Sequence, residues 1–124
     1  MTKLGPNLWD DPNFVLGSII PKALEFDLGS EDAPFKNLYL SDALKVKAES
    51  NGKAGTFTAN GATSVVVNNT SITANSVVIP SVKTVGGTPA GAPYVFAKTP
   101  GTSFTMKAAA GDTSVYNYII LEVV

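Results

Sequence analysis

The second half of this chain is cut into short β-prone runs by turn signals that recur about every 8–12 residues, the spacing of a β-sandwich or barrel. Thr63-Ser64-Val65-Val66-Val67 is β-branched and stops at the turn signal Asn68-Asn69. Ser76-Val77-Val78-Ile79 follows. Pro80 cannot donate to a ladder, so this run bends, bulges or lies at an edge before Val82 to Val85 continue it. A turn-rich loop over residues 86–93 leads to Tyr94-Val95-Phe96-Ala97. Thr99-Pro100-Gly101 is a tight turn with Pro and Gly at its centre. Residues 102–107 alternate polar and apolar, as a half-buried strand does. Residues 115–124 form the strongest apolar run. A helix through Ala108-Ala109-Ala110 lacks a longer periodic stretch and meets Gly111.

The first half reads differently. Pro6, Pro12, Pro21 and Pro34 interrupt it, which leaves no room for a long helix or a central strand. Its apolar residues Trp9, Phe14, Leu16, Ile19 and Ile20 follow no clear period. An extended arm over residues 1–47 is expected, docked on a partner or wrapped on its own β-domain. The small, Gly-containing stretch 48–55 reads as the turn or linker between them. The fold class is therefore all-β, with an extended N-terminal arm (1–47) and a C-terminal antiparallel β-sandwich, jelly-roll or Greek-key-like (48–124).

Chemistry is constrained by what is missing. The chain of 124 residues has no His and no Cys, and every basic residue is Lys. No side chain is poised to exchange protons near neutral pH, and no thiolate or zinc-thiolate site can form. The bidentate guanidinium fork is absent as well. Ser64, Ser71 and Ser103 have no His to take a proton, and no sequence feature supports a Ser-Lys pair with Lys83, Lys98 or Lys107. The pairs Asp10-Asp11 and Glu31-Asp32 are neighbours in sequence and read as solvated turn residues. Asp27, Glu31 and Asp32 do not match a Ca²⁺ loop, and Gly86-Gly87 is followed by no Lys-Ser/Thr phosphate cradle. No catalytic residue, metal site or cofactor is assigned, and an enzyme is not expected.

Net charge is −1, without a basic cluster for nucleic acid. No apolar run reaches the roughly 20 residues that span a bilayer, and residues 1–6 lack the apolar core of a signal peptide. Synthesis in the cytoplasm, with no membrane partner, is expected. Beyond residue 57 the only charges are Asp112, Glu122, Lys83, Lys98 and Lys107, so part of that surface is expected to be covered by another copy or another protein. Tyr94, Phe96, Tyr116 and Tyr118 could stack on carbohydrate. Strand aromatics more often serve a core or an interface, and these four are assigned to an oligomer interface or exposed loop.

Two stretches carry a resemblance. Asp27-Leu28-Gly29-Ser30, followed by Phe35-Lys36-Asn37-Leu38-Tyr39-Leu40-Ser41, resembles a D-L-G-S…W-K-N-L-Y-L-S-G segment of phage tail fibres and related virion proteins. Phe35 replaces the usual Trp and Asp42 the usual Gly. The resemblance implies a small β-hairpin, with a turn at Gly29-Ser30 and Asp27, Gly29, Phe35, Leu38 and Tyr39 as its anchor. The stretch from Gly55 to Glu122 is similar to a small β-sandwich module of phage structural proteins. Together they imply an accessory protein of the tailed-phage virion, a homo-oligomer and often a trimer. A capsid decoration (cementing) or head-fibre protein is expected, bound to the major capsid protein or another virion protein through Trp9, Phe14, Leu16, Ile19 and Ile20. The alternative is a short tail-fibre knob that binds host surface glycan through loops 86–93 and 109–114.

Overall fold

A computed structural model describes residues 27–124, and Trp9, Phe14, Leu16, Ile19 and Ile20 lie outside them. The described residues contain six strands: β1 Ala54–Thr58, β2 Val65–Asn68, β3 Ser76–Thr84, β4 Tyr94–Thr99, β5 Ser103–Lys107 and β6 Val115–Glu122. They form two three-stranded antiparallel sheets, ordered β1-β6-β3 and β2-β5-β4, packed together. The expected all-β sandwich is present.

Alternation along the central strands builds the core. On β6, Tyr116, Tyr118 and Ile120 are buried while Asn117, Ile119 and Leu121 face out. On β5, Phe104 and Met106 are buried. Phe57 of β1 stacks on Tyr116, its register partner, with centroids 5.4 Å apart. Phe104 meets Tyr118 edge-on at 5.1 Å, which joins the central strands of the two sheets. Ile72, from the β2–β3 loop, is buried beside them, and its carbonyl accepts from the Gly101 N–H at 2.8 Å.

The β4–β5 turn forms as the sequence indicates. Thr102 N–H donates to the Thr99 carbonyl at 3.0 Å, with Gly101 at φ +72° behind Pro100. β3 lies at an edge, which accommodates Pro80, and its register shifts further along, between Val82 and Thr84.

β1 departs from expectation. It starts at Ala54, inside the stretch read as a linker. Gly55 is required there, because it is paired with Tyr118 and a Cβ would stand 2.5 Å from the Tyr118 hydroxyl. Tertiary packing thus overrides weak strand propensity.

The chain divides into two units between Leu38 and Tyr39. In residues 27–38, Ser30 and Ala33 exchange backbone hydrogen bonds, Gly29 has φ +85°, and the Phe35 ring lies against Gly29. The turn and its aromatic contact are present. The alternating strand expected after them does not form, since residues 37–40 carry no strand. An alternating pattern becomes a ladder only against a neighbouring strand.

Phe104 is fully buried at the contact between the sheets. Phe104→Ala should cost about 3–5 kcal/mol, read as a lower urea midpoint at unchanged slope.

Candidate binding surfaces

Buried polar groups are consumed by the scaffold. Asp112 is fully buried after the 108–111 connection. Its Oδ2 accepts from the Tyr116 hydroxyl at 2.6 Å and its Oδ1 from the Ser114 N–H at 2.9 Å. Burial pushes the carboxyl up, but the hydrogen bonds from Tyr116 and Ser114 outweigh it and hold Asp112 below its ordinary range. The same bond to Asp112, reinforced by burial, raises Tyr116. Loops 86–93 and 109–114, proposed from sequence to carry ligand contacts, are zipped together here. Thr113 N–H donates to the Gly86 carbonyl and Thr88 N–H to the Gly111 carbonyl. Gly87, at φ +62°, has no room for a Cβ because the Gly111 carbonyl would lie 2.0 Å from it. Loop 86–93 also borders an apolar groove of ≈ 290 Å³ with Pro80, Val82 and Tyr116.

Asn69 is the buried residue that the turn reading overlooked. Its Nδ2 donates to the Gly52 carbonyl at 2.8 Å, and its Oδ1 accepts from the Ser71 N–H at 2.9 Å and the Ser71 hydroxyl at 2.7 Å. The Asn-x-Ser spacing is a sequence signal for such a local turn.

A second polar cluster closes the end of β6. The Glu122 carboxylate accepts from Lys53 Nζ at 2.6 Å and from the hydroxyls of Thr73 and Ser76. Lys53 also donates to the Ser71 carbonyl at 2.7 Å. The Lys53 ammonium, then Ser76 and Thr73, hold Glu122 down to about 2.

The four aromatics assigned from sequence separate into two pairs. Tyr116 and Tyr118 are buried, so their assignment to an interface or exposed loop is corrected. They lie on the inward face of a central strand, where alternation directs them into the core. Tyr94 and Phe96 are 55% and 56% exposed on β4. Phe96 sits where the β4 register shifts between Val95 and Ala97, and Lys107 Nζ lies 3.8 Å above its ring. Asp27, Gly29, Phe35, Leu38 and Tyr39 are all exposed. Sequence reading also missed an aliphatic patch on the outer face of the first sheet. Val77 pairs with Leu121 and Ile79 with Ile119, and all four are 41–50% exposed. Its signal is the lack of polar alternation in β3 and β6.

The family model for the C-terminal domain of K1 capsule-specific polysaccharide lyase matches residues 51–121, which carry all six strands but the end of β6. The chain belongs to that domain family. No curated protein and no solved structure matches it. The family is associated with phage tail spikes, which agrees with a virion-associated phage protein. The lyase activity in its name is that of the named protein.

The Glu122 cluster sets a pH dependence. An ordinary glutamate protonates near 4.5, so the stability from this depressed carboxyl is whole above that pH and is lost as pH falls toward 2. Glu122→Gln should flatten that decline in acid unfolding curves, leaving a shallower slope from Asp112, whose pKa is also lowered.

Proposed function

We propose that this chain is a non-enzymatic structural protein of a phage particle whose β-sandwich self-associates through the outer face of its first sheet. The observation that carries this reading is the aliphatic patch of Val77, Ile79, Ile119 and Leu121. The three strands beneath it hold two charged residues, Lys83 and Glu122, and Glu122 is already engaged. An uncharged aliphatic face meets a copy of itself without like-charge repulsion, and covering it removes apolar surface from water. Membership of a tail-spike-associated domain family supports the phage context. In this reading residues 1–47 attach the module to the shell as a decoration or head-fibre protein, and a trimer is the favoured assembly. The absence of His, Cys and Arg supports a non-catalytic role, as does the use of Asp112 and Tyr116 inside the scaffold.

Sedimentation of the full chain tests the reading. The wild type should run as a discrete oligomer and Ile79→Lys/Ile119→Lys as a folded monomer, whereas a monomeric wild type would sink the proposal. Copy number in purified virions then places the module. A count comparable to the major capsid protein means shell decoration, and a small fraction of it means a tail or vertex appendage.

A further inference from the structure

We infer that Asn51 is a modification site: it deamidates through attack by the Gly52 nitrogen, and the isoaspartyl product detaches the buried Asn69 from its partner. This goes beyond the structural role proposed above and does not depend on it.

The sequence offers this chemistry at two places, Asn51-Gly52 and Asn60-Gly61, because a glycine leaves the attacking nitrogen unshielded by a side chain. Asn51 is exposed and lies in the left-handed region at φ 59°, a conformation that asparagine tolerates. Packing fixes the glycine after it, since a Cβ would stand 2.8 Å from Glu49 Cγ and 3.1 Å from the Glu49 carbonyl oxygen. Each reacting group is held by one bond to an exposed residue. Gly52 N–H donates to the Glu49 carbonyl at 3.0 Å, and Asn51 Oδ1 accepts from the Thr70 N–H at 3.0 Å. Water can replace both partners, so a local opening of the turn frees the two groups.

Asn60-Gly61 is guarded by contrast. Gly61 N–H donates to the Asp112 carbonyl at 2.7 Å, the Gly61 carbonyl accepts from the Ala108 N–H, and Ala59 N–H donates to the Ser114 carbonyl. Ala59, Asp112 and Ser114 are all buried. Freeing this nitrogen disturbs the Asp112 network, whereas freeing that of Gly52 disturbs an exposed turn. The fold therefore selects between two identical dipeptides.

The reaction needs only water. The deprotonated Gly52 nitrogen bonds to Asn51 Cγ, the bond from Cγ to the amide nitrogen breaks, and that nitrogen takes up protons and leaves as ammonia. Water then opens the succinimide ring at either carbonyl, giving aspartate or isoaspartate. In isoaspartate the main chain runs through Cβ and Cγ and is one methylene longer. The next carbonyl, that of Gly52, accepts from Asn69 Nδ2 at 2.8 Å, and Asn69 is fully buried. Lengthening the chain just before Gly52 pulls this acceptor away and leaves a buried amide donor unpaired. An ordinary aspartate keeps the chain length and still accepts from Thr70.

Peptide mapping by mass spectrometry of the full chain, aged in warm, mildly alkaline buffer, tests the inference. Asn51 should convert first, with Asn60 at least about tenfold slower, the effect of one backbone bond that buried partners protect. Unfolding in urea should bring the two sites to similar rates. Conversion of Asn60 as fast as Asn51 in the folded chain would overturn the selection, as would no conversion at Asn51. The aged isoaspartyl form, separated by chromatography, should show a shifted Asn69 side-chain amide resonance and a folding equilibrium roughly tenfold weaker. Asn51→Asp should leave both as in the wild type. An unmoved Asn69 resonance in the isoaspartyl form, or the same shift in Asn51→Asp, would overturn the link to Asn69.

Discussion

The edge-on contact between Phe104 and Tyr118 joins the central strands of the two sheets, and much of the structure is arranged around it. Tyr118 is flanked in register by Gly55 on one side and Pro80 on the other. At Gly55 a Cβ would strike the ring. The Tyr118 hydroxyl lies 3.5 Å from Asn69 Nδ2, and Asn69 in turn holds Gly52 and Ser71. Ser71 precedes Ile72, which fills the core and accepts from Gly101 in the β4–β5 turn. One aromatic pair is thus connected to β1, the β2–β3 loop and the only tight hairpin turn between the six strands. Close packing transmits any change of volume there to all of them.

One polar network of the domain lies inside, and a second, around Lys53 and Glu122, lies at the surface at the end of β6. Asp112, Ser114, Tyr116 and Asn69 are buried, and every buried side-chain polar atom among the described residues has a partner. Such satisfied networks rigidify a fold instead of supplying reactive groups. The outer faces differ by composition, one aliphatic and one aromatic with a cation. The sandwich thus has two chemically unlike outer faces.

Much of the sandwich was legible in the sequence. Turn residues delimit the strands because their backbone requirements are local: Pro100-Gly101 specifies its own φ values whatever surrounds it. Alternation on β5 predicted its buried face for the same reason. β1 was not legible, because Ala54-Gly55 has no strand preference of its own and is recruited by a ring more than sixty residues away. The direction of the tyrosines was hidden as well. Phe96 and Tyr118 look alike in sequence, yet one lies at a bulge on an edge strand and the other on a central strand. The strand expected after Phe35 failed because alternation records suitability for a sheet and not the presence of a neighbour.

Pro80 has a consequence for how the sandwich can grow. The Ile120 N–H points toward β1, to the Lys53 carbonyl. Alternation therefore gives the odd residues of β6 the bonds to β3, and the nitrogens of Val78 and Pro80 face the open edge. At Pro80 that edge lacks a donor, and beyond Val82 the register shift turns it away. A neighbouring chain cannot extend the sheet strand by strand along this side. Isologous contact about a two-fold axis closes on itself, while heterologous contact whose rotation does not close repeats without end. The proline thus closes one of the four edges of the two sheets to growth by strand addition.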